Sequence, residues 1–201
     1  MKSIVERMAA AQKARVGTLA IFDFDDTLFR SPTPPDISRD ERAKWWRTSE
    51  SLLPPFVPER PGSEWWNRSV VSAAKKSISS TDTFAVIITG RRDSSALRSR
   101  LEDLLKRGGV TFDELFMNPA PTGSAVVWKS EKTKALLTEM PKVETVVVWD
   151  DLADNVNAVE AAARSMGRAV EPHFVSLREE LRYLSGRLRQ TLQGDLPPKP
   201  R

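Results

Sequence analysis

Leu19-Ala-Ile-Phe-Asp-Phe-Asp-Asp-Thr27 is the stretch that decides the fold of this chain. It opens as a short apolar run, Leu19 to Phe24, interrupted by Asp23, and ends in acids, the form of a buried strand. Two later stretches repeat that form. Phe84-Ala-Val-Ile-Ile-Thr89 ends at Gly90, and Thr145-Val-Val-Val-Trp-Asp150 ends in acids. Runs of this kind are typical of parallel strands covered on both faces. Helical patterns lie between them. Asp93 is placed to cap a helix carrying Leu97, Leu101, Leu104 and Leu105, which stops at Gly108-Gly109. Ser130 opens a second helix through Met140, before Pro141, and residues 152–166 form an Ala-rich third that stops near Gly167. Strands alternating with helices predict an α/β protein with a doubly wound parallel sheet. The carboxyl ends of the strands carry the site in such sheets. All three strands place acids or Thr-Gly there.

Residues 30–83 break the alternation. They hold Pro32, Pro34, Pro35, Pro54, Pro55, Pro58 and Pro61, with Trp45-Trp46 and Trp65-Trp66. A connection that long is functional or carries its own structure. It reads as a small cap inserted after the first core strand, with one or two helices and the Trp pairs as its core. The competing reading of the Trp pairs is a platform for stacked bases. After the main domain, residues 17–175, Ser176 and Glu179 have capping-box spacing. Leu177, Leu181, Leu184, Leu188 and Leu192 then mark one face of an amphipathic helix over 176–193. That face packs on the domain or takes a protein partner. Residues 194–201 read as a loose tail, and residues 1–16 as a basic N-terminal helix or extension.

Composition narrows the chemistry. The 201 residues suit one domain, and 40% hydrophobic residues suffice for a core. The absence of Cys excludes disulfides, thiolate metal sites and a thiol nucleophile. One His, His173, excludes a multi-His centre and reads as structural. No apolar run is long enough for a membrane span, and no signal-peptide core follows Met1. The expectation is an intracellular protein, cytoplasmic or nuclear, with any metal held by oxygen ligands. The basic first 16 residues leave organelle import open. Net charge is +4, and each end carries +3, which leaves −2 between them. Basic flanks suit a polyanion such as RNA or DNA; the alternative is surface solubility.

Asp23 and Asp25 lie two apart in an extended segment, so both side chains point the same way. Asp150, Asp151 and, one helical turn on, Asp154 end another strand. Carboxylates converging there repel unless a cation intervenes, and Mg²⁺ is the natural cation for oxygen ligands. Such a cluster suits phosphate chemistry. Thr89, Gly90 and Arg91 offer a hydroxyl, backbone amides and a guanidinium for phosphoryl oxygens. Lys129 and Lys132 precede the last of these strands and add positive charge.

In order, DFDDT, the hydrophobic run into Thr-Gly-Arg, a lysine and Trp-Asp-Asp resemble the four motifs of the haloacid dehalogenase (HAD) superfamily of aspartyl-phosphate phosphotransferases. FDFDDTLFRSPTP, EWWNRSVV and VIITGRRD resemble the HAD domain of Swiss Army Knife RNA-repair-like proteins. The Thr-Gly-Arg and Asp-Asp motifs are also similar to those of polynucleotide 3′-phosphatase domains. The resemblance implies a Rossmann-like HAD fold and an Mg²⁺-dependent phosphatase acting on nucleic-acid ends, chiefly RNA. It implies Asp23 as nucleophile and Asp25 as general acid and base, with a backbone carbonyl for the metal. Thr89 would contact the phosphoryl group. Lys132 would be the motif-three lysine, with Lys129 as alternative. Asp23, Asp150, and Asp151 or Asp154 would hold Mg²⁺. Arg91 would bind a substrate phosphate, and Arg30 would meet one at the cap entrance. The chain departs from the RNA-repair-like pattern near motif four, with Leu152 and Asn155 where Arg and His are frequent. The remaining alternatives are a phosphatase of small metabolites or phosphoproteins, and a non-catalytic component of a ribonucleoprotein.

Overall fold

The structure, a computed structural model, describes residues 15–34, 38, 41, 44–119 and 124–176. The expected N-terminal extension, apart from its last two residues, lies outside the described residues. So do the expected C-terminal helix beyond Ser176 and the tail.

Five strands form one parallel sheet: β1 (Thr18–Phe22), β2 (Thr83–Arg92), β3 (Glu114–Asn118), β4 (Thr145–Asp150) and β5 (Ala169–Phe174). Their order is β3-β2-β1-β4-β5, so the chain winds outward from β1 in both directions. Among the described residues four helices flank it: α1 (Arg68–Ser79), α2 (Ser95–Arg107), α3 (Ala125–Glu139) and α4 (Ala153–Ser165). The apolar run of β1 is continuous because both faces are buried. Ala20 and Phe22 face a layer with Val70 and Ala74 of α1 and Leu97, Leu101 and Leu104 of α2. Leu19 and Ile21 face the opposite layer, with Leu136 and Leu137 of α3 and Val156 and Val159 of α4. Each fully buried side chain of this size contributes about 1.5–3 kcal/mol.

Register positions the site. Phe22 pairs with Ile87 of β2 and Trp149 of β4, so β1 and β4 end within one residue of each other while β2 runs on to Arg92. The Asp23 N–H donates to the Trp149 carbonyl at 2.9 Å, which sets Asp23 beside Asp150.

Several local expectations change. Ser94, not Asp93, caps α2, accepting from the Leu97 N–H at 3.4 Å. Asp93 instead pairs with Arg98 at 2.8 Å. Helix α3 starts at Ala125, five residues ahead of Ser130, so Lys129 lies inside it. β3 and β5 carry no strong sequence pattern. The stretch 30–83 contains two 3-10 turns, Ser49–Leu52 and Ser63–Trp65, but its end is α1, which packs on the sheet. The Trp pairs do not make one core. Trp65 and Trp66 lie against Phe29, at centroid distances of 5.6 and 5.0 Å, while Trp45 meets Phe56 edge-on at 4.5 Å. His173 stacks on Trp149 at 4.2 Å, a packing role. Among the described residues no helix is long and apolar enough to cross a membrane.

Candidate active site

After β1 the chain folds back at once. The Asp26 N–H donates to the Phe29 carbonyl at 2.7 Å, and the Phe29 N–H to the Phe24 carbonyl at 2.9 Å. Asp26 takes a left-handed φ of 52°, which a short polar side chain tolerates. Phe24 and Phe29 stack at 5.3 Å and bury the turn. The result keeps Asp23 and Asp25 on the wall of a cavity of about 160 Å³ at the carboxyl edge of the sheet. Gly90, Arg91, Lys129 and Asp151 line it as well.

Lys129 reaches into its base from the second turn of α3. Its Nζ lies 2.6 Å from Asp23 Oδ1 and 2.5 Å from Asp150 Oδ2. All three side chains are buried, Lys129 at 1% exposure. Asp150 Oδ1 accepts from Asn155 Nδ2 at 2.9 Å and from the Leu152 N–H at 3.0 Å, which fixes its rotamer. Asp151 completes the group: oxygens of Asp23, Asp150 and Asp151 all lie within 4.8 Å of one another. Burial pushes the Asp23 carboxyl up to about 7, with Asp150 and Asp25 adding to the rise and Lys129 opposing it. Burial, with the Asp23 and Asp150 charges, pushes Asp151 up to about 9. Burial works against the charged form of Lys129, yet Asp150 and Asp23 hold it above the ordinary lysine range. Once ionised, the three carboxylates exceed the one ammonium by two negative charges. An all-oxygen donor set with that deficit can coordinate a divalent metal ion.

The guanidinium of Arg91, 2% exposed, is committed to the protein. Nη2 lies 2.6 Å from Asp25 Oδ1, and Nε lies 3.0 and 2.9 Å from the two Asp25 oxygens. Nη1 donates to the Trp46 carbonyl at 3.1 Å and to Ser51 Oγ at 2.7 Å. The Ser31 hydroxyl also donates to Asp25 Oδ1. Thr89 is fully buried; its Oγ1 accepts the Arg91 N–H at 3.2 Å, and its carbonyl accepts Trp128 Nε1 at 3.1 Å. Gly90 lies against α3, where an added Cβ would sit 2.8 Å from Ala125 Cβ.

Acids at two adjacent strand ends, a lysine between them and Thr-Gly-Arg on the neighbouring strand bring a family into view. Residues 26–188 match the family described as HAD domain family 1 in Swiss Army Knife RNA repair proteins. This chain belongs to that HAD family. It is accordingly classified as a HAD-domain hydrolase of the phosphatase kind. The uncharacterized protein YMR265C of Saccharomyces cerevisiae (strain ATCC 204508 / S288c) is 22% identical over 171 residues, 74% of this chain and 37% of that protein. This HAD domain thus spans little more than a third of the curated relative it matches. The Legionella pneumophila effector Ceg4 shares the fold with a TM-score of 0.51 and 12% identity, over 86% of this chain and 94% of Ceg4. A chain of the Pnkp1/Rnl/Hen1 complex aligns with a TM-score of 0.49 and 19% identity, over 79% of this chain and 46% of that one.

The HAD domain does not gather every expected residue. Lys132 is one turn from Lys129, but its Nζ lies over the Phe116 ring, 3.7 Å from the centroid. Lys129 is the lysine between the acids. Asp154 is exposed on α4 and stands outside the three-acid group, and Asn155 is the residue that turns inward. The Asp25 carboxylate is outside that group too, drawn to Arg91. Arg30 is exposed and absent from the cavity wall; its N–H donates to the Trp65 carbonyl at 2.8 Å. Arg91 lines the cavity, but its guanidinium is held by Asp25 and the insertion. Ser31, Ser51 and the Trp46 carbonyl had no local signal in the sequence, because nothing near them repeats or caps. Asn155 had a faint one, in the first turn of the helix that follows Asp150-Asp151.

Proposed function

We propose that this HAD domain is a phosphatase that uses Asp23 as nucleophile and acts on phosphorylated nucleic-acid ends, RNA above all. The observation that carries the chemistry is Lys129 Nζ within hydrogen-bond reach of both Asp23 and Asp150 at the base of an open cavity. That ammonium holds the Asp23 carboxylate in one rotamer and offsets charge where a phosphoryl group arrives. An Asp23 oxygen attacks phosphorus and forms an aspartyl-phosphate as the bond to the leaving oxygen breaks. Asp25 gives that oxygen its proton, then takes one from the water that cleaves the acyl phosphate, restoring Asp23 and releasing phosphate. The Thr89 hydroxyl accepts from Arg91, which leaves its own proton to donate to a phosphoryl oxygen. Gly90 keeps the wall free of a side chain there.

Asp23, Asp150 and Asp151 fit Mg²⁺ by donor type and charge, and the Asp25 carbonyl is the further oxygen that the family resemblance assigns to it. When bound, the ion offsets the negative charge of carboxylates and phosphoryl oxygens.

Two things support nucleic-acid ends as substrate: the family is named for RNA repair proteins, and both ends of the chain are basic. The test is phosphate release from 3′-phosphorylated RNA and DNA oligonucleotides, nucleotides and sugar phosphates, with and without Mg²⁺. Release from oligonucleotides that Mg²⁺ requires and Asp23→Asn abolishes is the expected result. Release only from the small phosphates would move the substrate to metabolites. Salt-sensitive RNA binding without any hydrolysis would remove the enzyme.

A further inference from the structure

Arg91 stands where a substrate-binding arginine is expected, yet each of its three guanidinium nitrogens already donates inside the protein. We infer that Arg91 is a positioning residue: it fixes the Asp25 carboxylate for proton transfer and, in the same grip, seats the insertion over the site. The inference rests on the phosphatase reading above.

The geometry carries both halves. Asp25 Oδ1 receives Arg91 Nη2 and the Ser31 hydroxyl, which fills its accepting capacity, and shares the single Arg91 Nε–H with Oδ2. Asp25 Oδ2 receives only Arg91 Nε, at 2.9 Å. One oxygen is therefore anchored and the other is left to exchange a proton with the leaving group or with water. A planar guanidinium suits this task, because its fork fixes the carboxylate plane as well as its place. The remaining nitrogen, Nη1, holds the Trp46 carbonyl and Ser51 Oγ, both in the insertion. Trp46 itself lines the cavity. Movement of the segment 46–51 is thus transmitted to Asp25 through a single buried side chain. Arg91 is 66 positions from Asp25 and 40 from Ser51, so one residue of β2 joins two distant stretches of chain.

Leaving-group dependence tests this. A series of aryl phosphates from para-nitrophenyl to para-methoxyphenyl is assayed with Mg²⁺. A positioned acid matters most for the poorest leaving group, because the nitrophenolate departs without a proton. Arg91→Lys keeps a charge but loses the fork. Ser51→Ala removes one anchor of Arg91 outside the cavity and covers the case in which Arg91→Lys does not fold. We expect Arg91→Lys to lower kcat/KM about 30-fold on the methoxyphenyl ester and under about threefold on the nitrophenyl ester, without a uniform rise in KM; kcat/KM is read because Asp25 also serves the second step, which all the esters share. Ser51→Ala should give the same tilt at about one tenth of that size. Asp25→Asn with Arg91→Lys should be no worse than Asp25→Asn alone. A uniform rise in KM across the series, or additive losses in the double variant, overturns the inference and returns Arg91 to substrate binding while the phosphatase stands. A wild-type protein that hydrolyses no member of the series overturns the phosphatase reading and this inference with it.

Discussion

Lys129 Nζ lies 2.6 Å from Asp23 Oδ1, and the two residues are 106 positions apart. The contact ties α3 to the end of β1. It also reaches β4, since the same nitrogen meets Asp150. Lys129→Met removes the ammonium that sits among the three carboxylates. We expect phosphate release to fall at least about 100-fold, as for other preorganised charges. Removing one partner from a buried ion pair costs about 3–5 kcal/mol, less whatever protonation of the acids recovers. Lys132→Met serves as the control. It loses a cation–π contact worth about 0.5–1 kcal/mol and should leave turnover within about twofold. Equal losses in the two variants would sink the assignment of Lys129.

The acids make stability depend on pH in a definite sense. Folding raises Asp23 from 3.8 to about 7 and Asp151 from 3.8 to about 9. Between those limits the folded chain holds protons that the unfolded chain has released, so metal-free stability falls as pH rises. The contribution is complete below about pH 4 and is lost through about pH 7 and then about pH 9. Melting in EDTA should show Tm declining from about pH 5 to about pH 9. Mg²⁺ binds the ionised carboxylates, so it should raise Tm more at the alkaline end. A flat or rising Tm in EDTA would contradict the burial of these acids.

Gly90→Ala tests how β2 and α3 meet. The new Cβ would sit 2.8 Å from Ala125 Cβ, closer than such atoms pack. Relief requires α3 to shift, and α3 carries Lys129. We expect a cost of about 1–3 kcal/mol, read by denaturant unfolding, and a loss of turnover larger than the stability change alone explains. Ala125→Gly in the same chain should restore both. Failure of that rescue would show that Gly90 matters for another reason.

Asn155 holds Asp150 from behind, through Nδ2 to Oδ1 at 2.9 Å. Partners of this kind orient metal ligands, and losing one weakens affinity about 10- to 100-fold. Asn155→Ala should therefore raise the concentration of Mg²⁺ needed for half-maximal rate by at least about tenfold, with kcat at saturating metal nearly kept. Asp154→Ala, on the exposed side of α4, should not change the metal requirement. Calorimetric titration of Mg²⁺ gives the same comparison without turnover.

The central strands were readable because burial on both faces removes the polar alternation, and a continuous run such as Phe84–Thr89 has few other uses. β3 and β5 lie at the sheet edges, where one neighbour is missing and polar residues are tolerated; Glu171 and Pro172 interrupt β5. The start of α3 was misread because Ser130 has the chemistry of a cap while Ser124, the actual cap position, makes no side-chain cap bond. That shift of five residues is what separated Lys132 from Lys129 as the expected partner of the acids.

Order along the chain was enough for the parallel sheet, the acids at its carboxyl edge and the family they mark. Those follow from hydrophobic pattern and short spacing, which are local properties. The choice between two lysines three residues apart, the commitment of Arg91 to Asp25, and the inward turn of Asn155 instead of Asp154 belong to the folded state alone. Each depends on which side chain meets a partner dozens of positions away, and such a meeting exists only after the sheet has set its register and the helices have packed against it.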